Sequence, residues 1–135
     1  SGSLVQDLSS AVYTEFRAQL DSAFAEAGRP PLVFAGGHDH SLQVIDGRGP
    51  WAPVTSLVSG AGSKLSSVAE HEDLRFSAAR PGYMSLVLRW NGAVDLYVAT
   101  ATSSADGPAA VEVVYSERLV APTHELSGLT DSGGG

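Results

Sequence analysis

The chain contains no cysteine, and its one methionine is Met84. The first absence excludes disulfides, thiolate zinc centres and cysteine nucleophiles, and it fits reducing and oxidising compartments equally. No apolar run approaches the roughly 20 residues that cross a bilayer, and the start, Ser1-Gly2-Ser3, shows no basic region, apolar region and cleavage site in succession. The chain therefore reads as soluble, with localisation left open because any signal peptide would lie upstream of Ser1. Positive charge is scarce as well. Eight Lys and Arg stand against 15 Asp and Glu, a net charge of −7, which repels phosphodiester backbones and anionic headgroups. Nucleic acid and membrane surfaces are not expected partners.

What is present suits one domain or part of one: 135 residues, 43% hydrophobic. Leu8, Val12, Phe16, Leu20 and Phe24 recur at four-residue steps, which predicts an amphipathic helix over residues 9–27. Asp7, Ser9 or Ser10 would cap its start, and Gly28 followed by Pro30-Pro31 would stop it. The pattern then changes to short β-rich runs at 32–35, 42–45, 55–59, 74–78, 83–90, 93–100 and 111–116, most of them separated by turn residues. Trp90-Asn91-Gly92-Ala93 predicts a type I′ hairpin turn. In that hairpin Met84, Leu86 and Leu88 share one face of the first strand, and Val94, Leu96 and Val98 one face of the second. Residues 103–108 read as a second hairpin tip. One helix is too little to cover both faces of such a sheet, so one face needs a partner.

The most chemical step in the chain is Gly37-His38-Asp39-His40, two imidazoles one residue apart behind the apolar run Pro31-Leu32-Val33-Phe34-Ala35. If the backbone is extended there, His38 and His40 project to one side and share one metal ion or serve two adjacent ions, while Asp39 points away. Gly36 and Gly37 would let the backbone turn sharply and come close to a ligand. Each catalytic metal needs about three or more protein ligands, so two histidines leave the set incomplete.

Gly37-His38-Asp39-His40-Ser41-Leu42-Gln43, then Ser59-Gly60-Ala61-Gly62, then Pro81-Gly82-Tyr83 leading into a hairpin, follow one another in an order and spacing that resemble the carboxyl-terminal part of calcineurin-like metallophosphoesterases. The pattern is most similar to the purple and tartrate-resistant acid phosphatases, and it covers roughly residues 5–116. The resemblance implies a fold of the α/β class, α+β as seen in this fragment. It would be the C-terminal half of a metallophosphoesterase β-sandwich flanked by helices, with one long N-terminal helix followed by a mostly antiparallel sheet. It implies that residues 1–120 form the C-terminal portion of the phosphoesterase domain; residues 121–135, with too few apolar groups to offset ordering entropy, read from composition as a flexible tail. It further implies that His38 binds one metal and His40 the other, the two ions being Fe, Mn or Zn. The superfamily's earlier motifs, D-x-H, G-D-x-x-D/Y, G-N-H-D/E and an isolated metal-binding histidine, have no counterpart here. They supply the bridging carboxylate, most ligands and the leaving-group acid, so no catalytic residue is identified in this chain. The expected function is that of a hydrolase fragment acting on phosphate esters, inactive without an upstream N-terminal half, with at most partial metal binding of its own. The alternative is a non-catalytic β-rich interaction module derived from that fold.

The remaining signals are weaker. Gly60-Ala61-Gly62-Ser63-Lys64 lacks the Gly-Lys step and spacing of a P-loop, and reads instead as a turn packed near the histidine loop. Ser59 and Ser63 lack a G-x-S-x-G elbow. His71 lies in an acidic, solvated loop and His124 near the chain end. Trp51 and Trp90 read as packing or loop cover.

Overall fold

The structure, a computed structural model, describes residues 14–102, 107 and 110–123. The readings that fall on Asp7, Leu8, Ser9, Ser10, Val12, His124, most of 103–108 and most of the 121–135 tail lie outside the described residues. The order is α1 (Thr14–Glu26), β1 (Val33–Gly36), β2 (Leu42–Asp46), β3 (Thr55–Ser59), β4 (Leu74–Ala78), β5 (Gly82–Leu88), β6 (Val94–Thr102) and β7 (Ala110–Val120). One helix followed by mostly antiparallel strands is the expected α+β arrangement.

Helix α1 ends where glycine permits. Gly28 adopts φ +70°, its N–H donates to Ala25 C=O at 3.1 Å, and Ala27 N–H donates to Ala23 C=O at 3.0 Å. The face carrying Phe16, Leu20 and Phe24 lies over Phe34, Pro53 and Ser56, yet no helix residue is fully buried. The helix shields one side of the first sheet without completing a core there.

That first sheet has the order β1-β3-β2-β4, and the second is the meander β5-β6-β7. Among the described residues every pairing is antiparallel except β1 with β3. Period-2 alternation sends Leu42 and Val44 of β2, Leu57 of β3, and Leu96 and Val98 of β6 into one buried cluster between the sheets. Val33, Phe76, Met84, Tyr115 and Leu119 pack around it. The hairpin pairs antiparallel as expected, with Leu88↔Val94, Leu86↔Leu96 and Met84↔Val98 opposite one another, so the two apolar faces read from the sequence lie on one side of the sheet. Its turn differs. Gly92 N–H donates to Arg89 C=O at 2.9 Å, and positive φ falls on Gly92 (+83°) but not on Asn91. Three residues, Trp90, Asn91 and Gly92, thus make a type I turn closed by a glycine bulge, where type I′ would require two left-handed residues. Asn91 contributes instead through its side chain, whose Oδ1 accepts from Ala93 N–H at 3.2 Å.

Two polar clusters bind the strands. The β2–β4 ladder slips between Val44 and Ile45, leaving Arg75 as the unpaired residue, and a bulge of this kind re-aims its side chain. The Arg75 guanidinium donates to Thr55 Oγ1 at 2.7 Å and to Glu117 Oε1 on the opposite sheet, and its Nε lies 3.0 Å from Asp46 Oδ1, off the hydrogen-bond axis. Tyr115 Oη donates to Glu117 Oε2 at 2.6 Å. Burial first, and this carboxylate second, push the phenol up to about 12. On the outer face of the second sheet, Asp95 is 5% exposed and accepts from Arg118 Nε at 2.8 Å and from Arg89 Nε. Arg118 and then Arg89 hold its carboxyl down at about 2.

Arg75→Ala should cost about 2 kcal/mol in urea denaturation, because it strands Glu117 between the sheets; Arg75→Met combined with Glu117→Gln should recover part of that loss. Asp95 titrates lower in the folded chain than its ordinary 3.8. The stability it lends is therefore complete above about pH 4 and is lost as pH falls towards about 2. Acid titrations followed by circular dichroism should show a shallower loss across that window in Asp95→Asn.

Candidate metal-ligand loop

β1 is the edge strand of the first sheet, and its carboxyl end delivers the loop 37–41. The sequence places conformational freedom on Gly36 and Gly37, but neither adopts positive φ, and a Cβ on either would meet nothing within 4 Å. The left-handed residue is His38, at φ +79°. A side-chain-bearing residue held there costs about 1–2 kcal/mol, from the clash of Cβ with backbone. The loop is therefore bent, and the extended geometry expected to align His38 with His40 does not occur.

Backbone bonds hold that bend. Ser41 N–H donates to Asp39 C=O at 2.8 Å, Gly60 N–H to Ser41 C=O at 3.0 Å, and Ser66 N–H to His40 C=O at 2.9 Å. Ser41 is buried, and its Oγ accepts from the buried Gln43 Nε2 at 2.8 Å. His38 and Asp39 are exposed while His40 is half-buried. The Gly60-Ala61-Gly62 turn does pack against the histidine loop, as its composition led us to expect.

Imidazole nitrogens suit zinc, manganese or iron. Among the described residues, however, no group of three or more His, Cys, Asp or Glu gathers where a metal could be held. The described donors do not make up a hydrolytic metal centre, and no reaction step follows from them alone.

No family model matches the chain, and no curated protein does. Among solved structures it is similar to a protein described as "GAP50 the anchor in the inner membrane complex of Plasmodium", with a TM-score of 0.55 and 19% identity over 81% of this chain. The chain spans 30% of the length of that protein. At this identity the likeness is one of fold, and it agrees with the helix-then-sandwich architecture. No helix among the described residues is long and apolar enough to cross a membrane.

His71 is exposed, and its C=O accepts from Leu74 N–H at 3.1 Å. Its neighbours Glu72 and Asp73 pair with Arg48, tying the glycine- and proline-containing loop 47–53 to the loop before β4. Trp51 is half-buried, in keeping with loop cover. Trp90 is not packed at all. At 108% relative exposure it stands clear of the hairpin tip, because the three-residue turn lifts it beyond the last strand pair. The indicator of loop strain was missed in the sequence, since a left-handed histidine has no composition cue when two glycines precede it.

If His38 is held left-handed, His38→Gly should raise stability by about 1 kcal/mol and His38→Val should lower it by about as much, measured by urea denaturation. A more stable valine variant would contradict the geometry.

Proposed function

We propose that this chain supplies the carboxyl-terminal ligand loop of a two-metal phosphoesterase, His38 toward one ion and His40 toward the other, with the remaining ligands carried by a preceding N-terminal half. The observation that carries this reading is the loop itself. His38 is kept in a costly backbone conformation at the end of a strand, the three residues after it are tied by backbone hydrogen bonds, and strain of this kind collects where a side chain must be presented. When bound, two ions of Fe, Mn or Zn would activate water and neutralise charge on a phosphate ester.

The edge of β1 supports a contribution from elsewhere. Thr55 N–H donates to Leu32 C=O at 3.0 Å, and in a parallel ladder this turns Leu32, Phe34 and Gly36 toward β3 and the N–H and C=O of Val33 and Ala35 toward the open side. A strand added there in the direction of β1 would end beside His38, bringing its own ligands to the same place. The isolated chain should bind Zn²⁺ or Mn²⁺ weakly and leave p-nitrophenyl phosphate intact. Joined by co-expression to the polypeptide encoded immediately upstream in the same reading frame, it should turn the ester over, and His38→Ala or His40→Ala should abolish that turnover. Activity that survives both substitutions overturns the proposal.

A second reading, a non-catalytic interaction module, is favoured by a different observation. Trp90 and Leu88 are exposed together at the hairpin tip, and large exposed apolar side chains placed side by side mark a docking surface. The structural neighbour described as an anchor is consistent with such a role. A complex that forms without metal, tolerates the His38→Ala/His40→Ala pair and is lost in Trp90→Ala would select it.

A further inference from the structure

The two glycines of Gly60-Ala61-Gly62 do different work. A Cβ on Gly62 would meet nothing within 4 Å, and Gly62 has no left-handed φ, so alanine fits there. A Cβ on Gly60 would lie 2.1 Å from Asp39 O, 3.0 Å from Asp39 C and 3.4 Å from His38 N. All three contacts are backbone, which cannot swing aside as a flexible side chain would. Gly60 is also free of any left-handed requirement, so what it provides is space: its Cα lets the Asp39 carbonyl sit against the turn. The same residue donates its N–H to Ser41 C=O, and six residues on Ser66 N–H donates to His40 C=O. The histidine loop is thus held at Asp39 and Ser41 by Gly60, next to His38 and on either side of His40, and at His40 by Ser66 beyond the turn.

From this we infer that Gly60 is the positioning residue for the two imidazoles: its missing side chain and its N–H together set where His38 and His40 point, and any side chain at this position displaces both. The inference rests on the reading of these histidines as metal ligands, but the geometric part can be tested without a metal. Zinc titration of the ¹⁵N-labelled chain by calorimetry and by amide and imidazole resonances should show Gly60→Ala binding at least tenfold more weakly than the parent, with the resonances of residues 38–41 shifted. Gly62→Ala should stay within twofold and leave those resonances in place. Thermal melts on the same samples separate displacement from unfolding. Should Gly60→Ala fail to fold, Ser66→Pro, at an exposed coil position, removes the N–H that holds His40 C=O while also fixing φ there, and it should weaken zinc in the same sense. Unchanged zinc affinity and unchanged loop resonances in a folded Gly60→Ala chain overturn the inference, as does unchanged affinity in Ser66→Pro where that variant decides. A parent chain that binds no zinc removes the metal reading, and the shift or constancy of the 38–41 resonances then decides the positioning role by itself.

Discussion

Leu42 and Val44 on β2 meet Leu96 and Val98 on β6 with no solvent exposure at any of the four, and the rest of the structure hangs on that contact. These are interior strands of their sheets, so their alternation decides which way every neighbouring strand faces. A one-residue slip of β2 would turn Gln43 inward and Val44 outward. Ladder by ladder, Leu57 and Phe76 take their inward positions from β2, and Met84 and Tyr115 take theirs from β6. The bulge at Arg75 is the one place where β2–β4 departs from strict alternation. It places a guanidinium between the sheets, where Asp46, Thr55 and Glu117 converge to receive it. Apolar burial fixes the distance between the layers, and the charged cluster specifies how one is set over the other.

The histidine loop inherits its rigidity from this core at one remove. Ser41 and Leu42 are consecutive buried residues, so the loop leaves the core immediately before β2. Ala61, also fully buried in the same cluster, anchors the turn that opposes it. The strain at His38 is therefore local and compensated on both sides, as an outlier must be if it is to persist. The two anchors explain how an exposed histidine can be held in one place although it packs against little.

Much of the fold was legible in the sequence because its strands are short and bounded by turn residues, and because Met84/Leu86/Leu88 and Val94/Leu96/Val98 recur at every second position of β5 and β6. The end of α1 was legible from Gly28-Arg29-Pro30-Pro31 for the same reason: proline and glycine act through backbone constraints that need no tertiary context. What escaped was tertiary. The single parallel pairing, β1 with β3, has no periodic signature in four residues. The bulge at Arg75 depends on a carboxylate 42 positions away. Asn-Gly named a hairpin but not its length, since the choice between a two-residue and a three-residue turn lies in the flanking ladder. In the candidate site, His38 and His40 were identifiable as residues, whereas their bent backbone and the difference between Gly60 and Gly62 exist only once two distant turns are brought together.

A ligand role at His38 and a docking role at Trp90 are compatible because the fold separates them. β5 begins next to the histidine loop's support, with Gly82 N–H donating to Ala61 C=O at 3.4 Å, and it ends at Leu88, just before the turn that carries Trp90. A strand of this length spans about 20 Å. The histidine end of β1 and the hairpin tip therefore lie at opposite ends of the sandwich, and a segment that bound beside His38 would leave the exposed Trp90 accessible at the other. The outer face of the second sheet lies between them. Its Tyr83↔Ala99↔Val113 row sits nearer the histidine end and its Asp95 ion pairs nearer the hairpin tip. Tyr83 and Val113 leave that apolar row open to solvent. The paired arginines at the far end already satisfy their own charge partner.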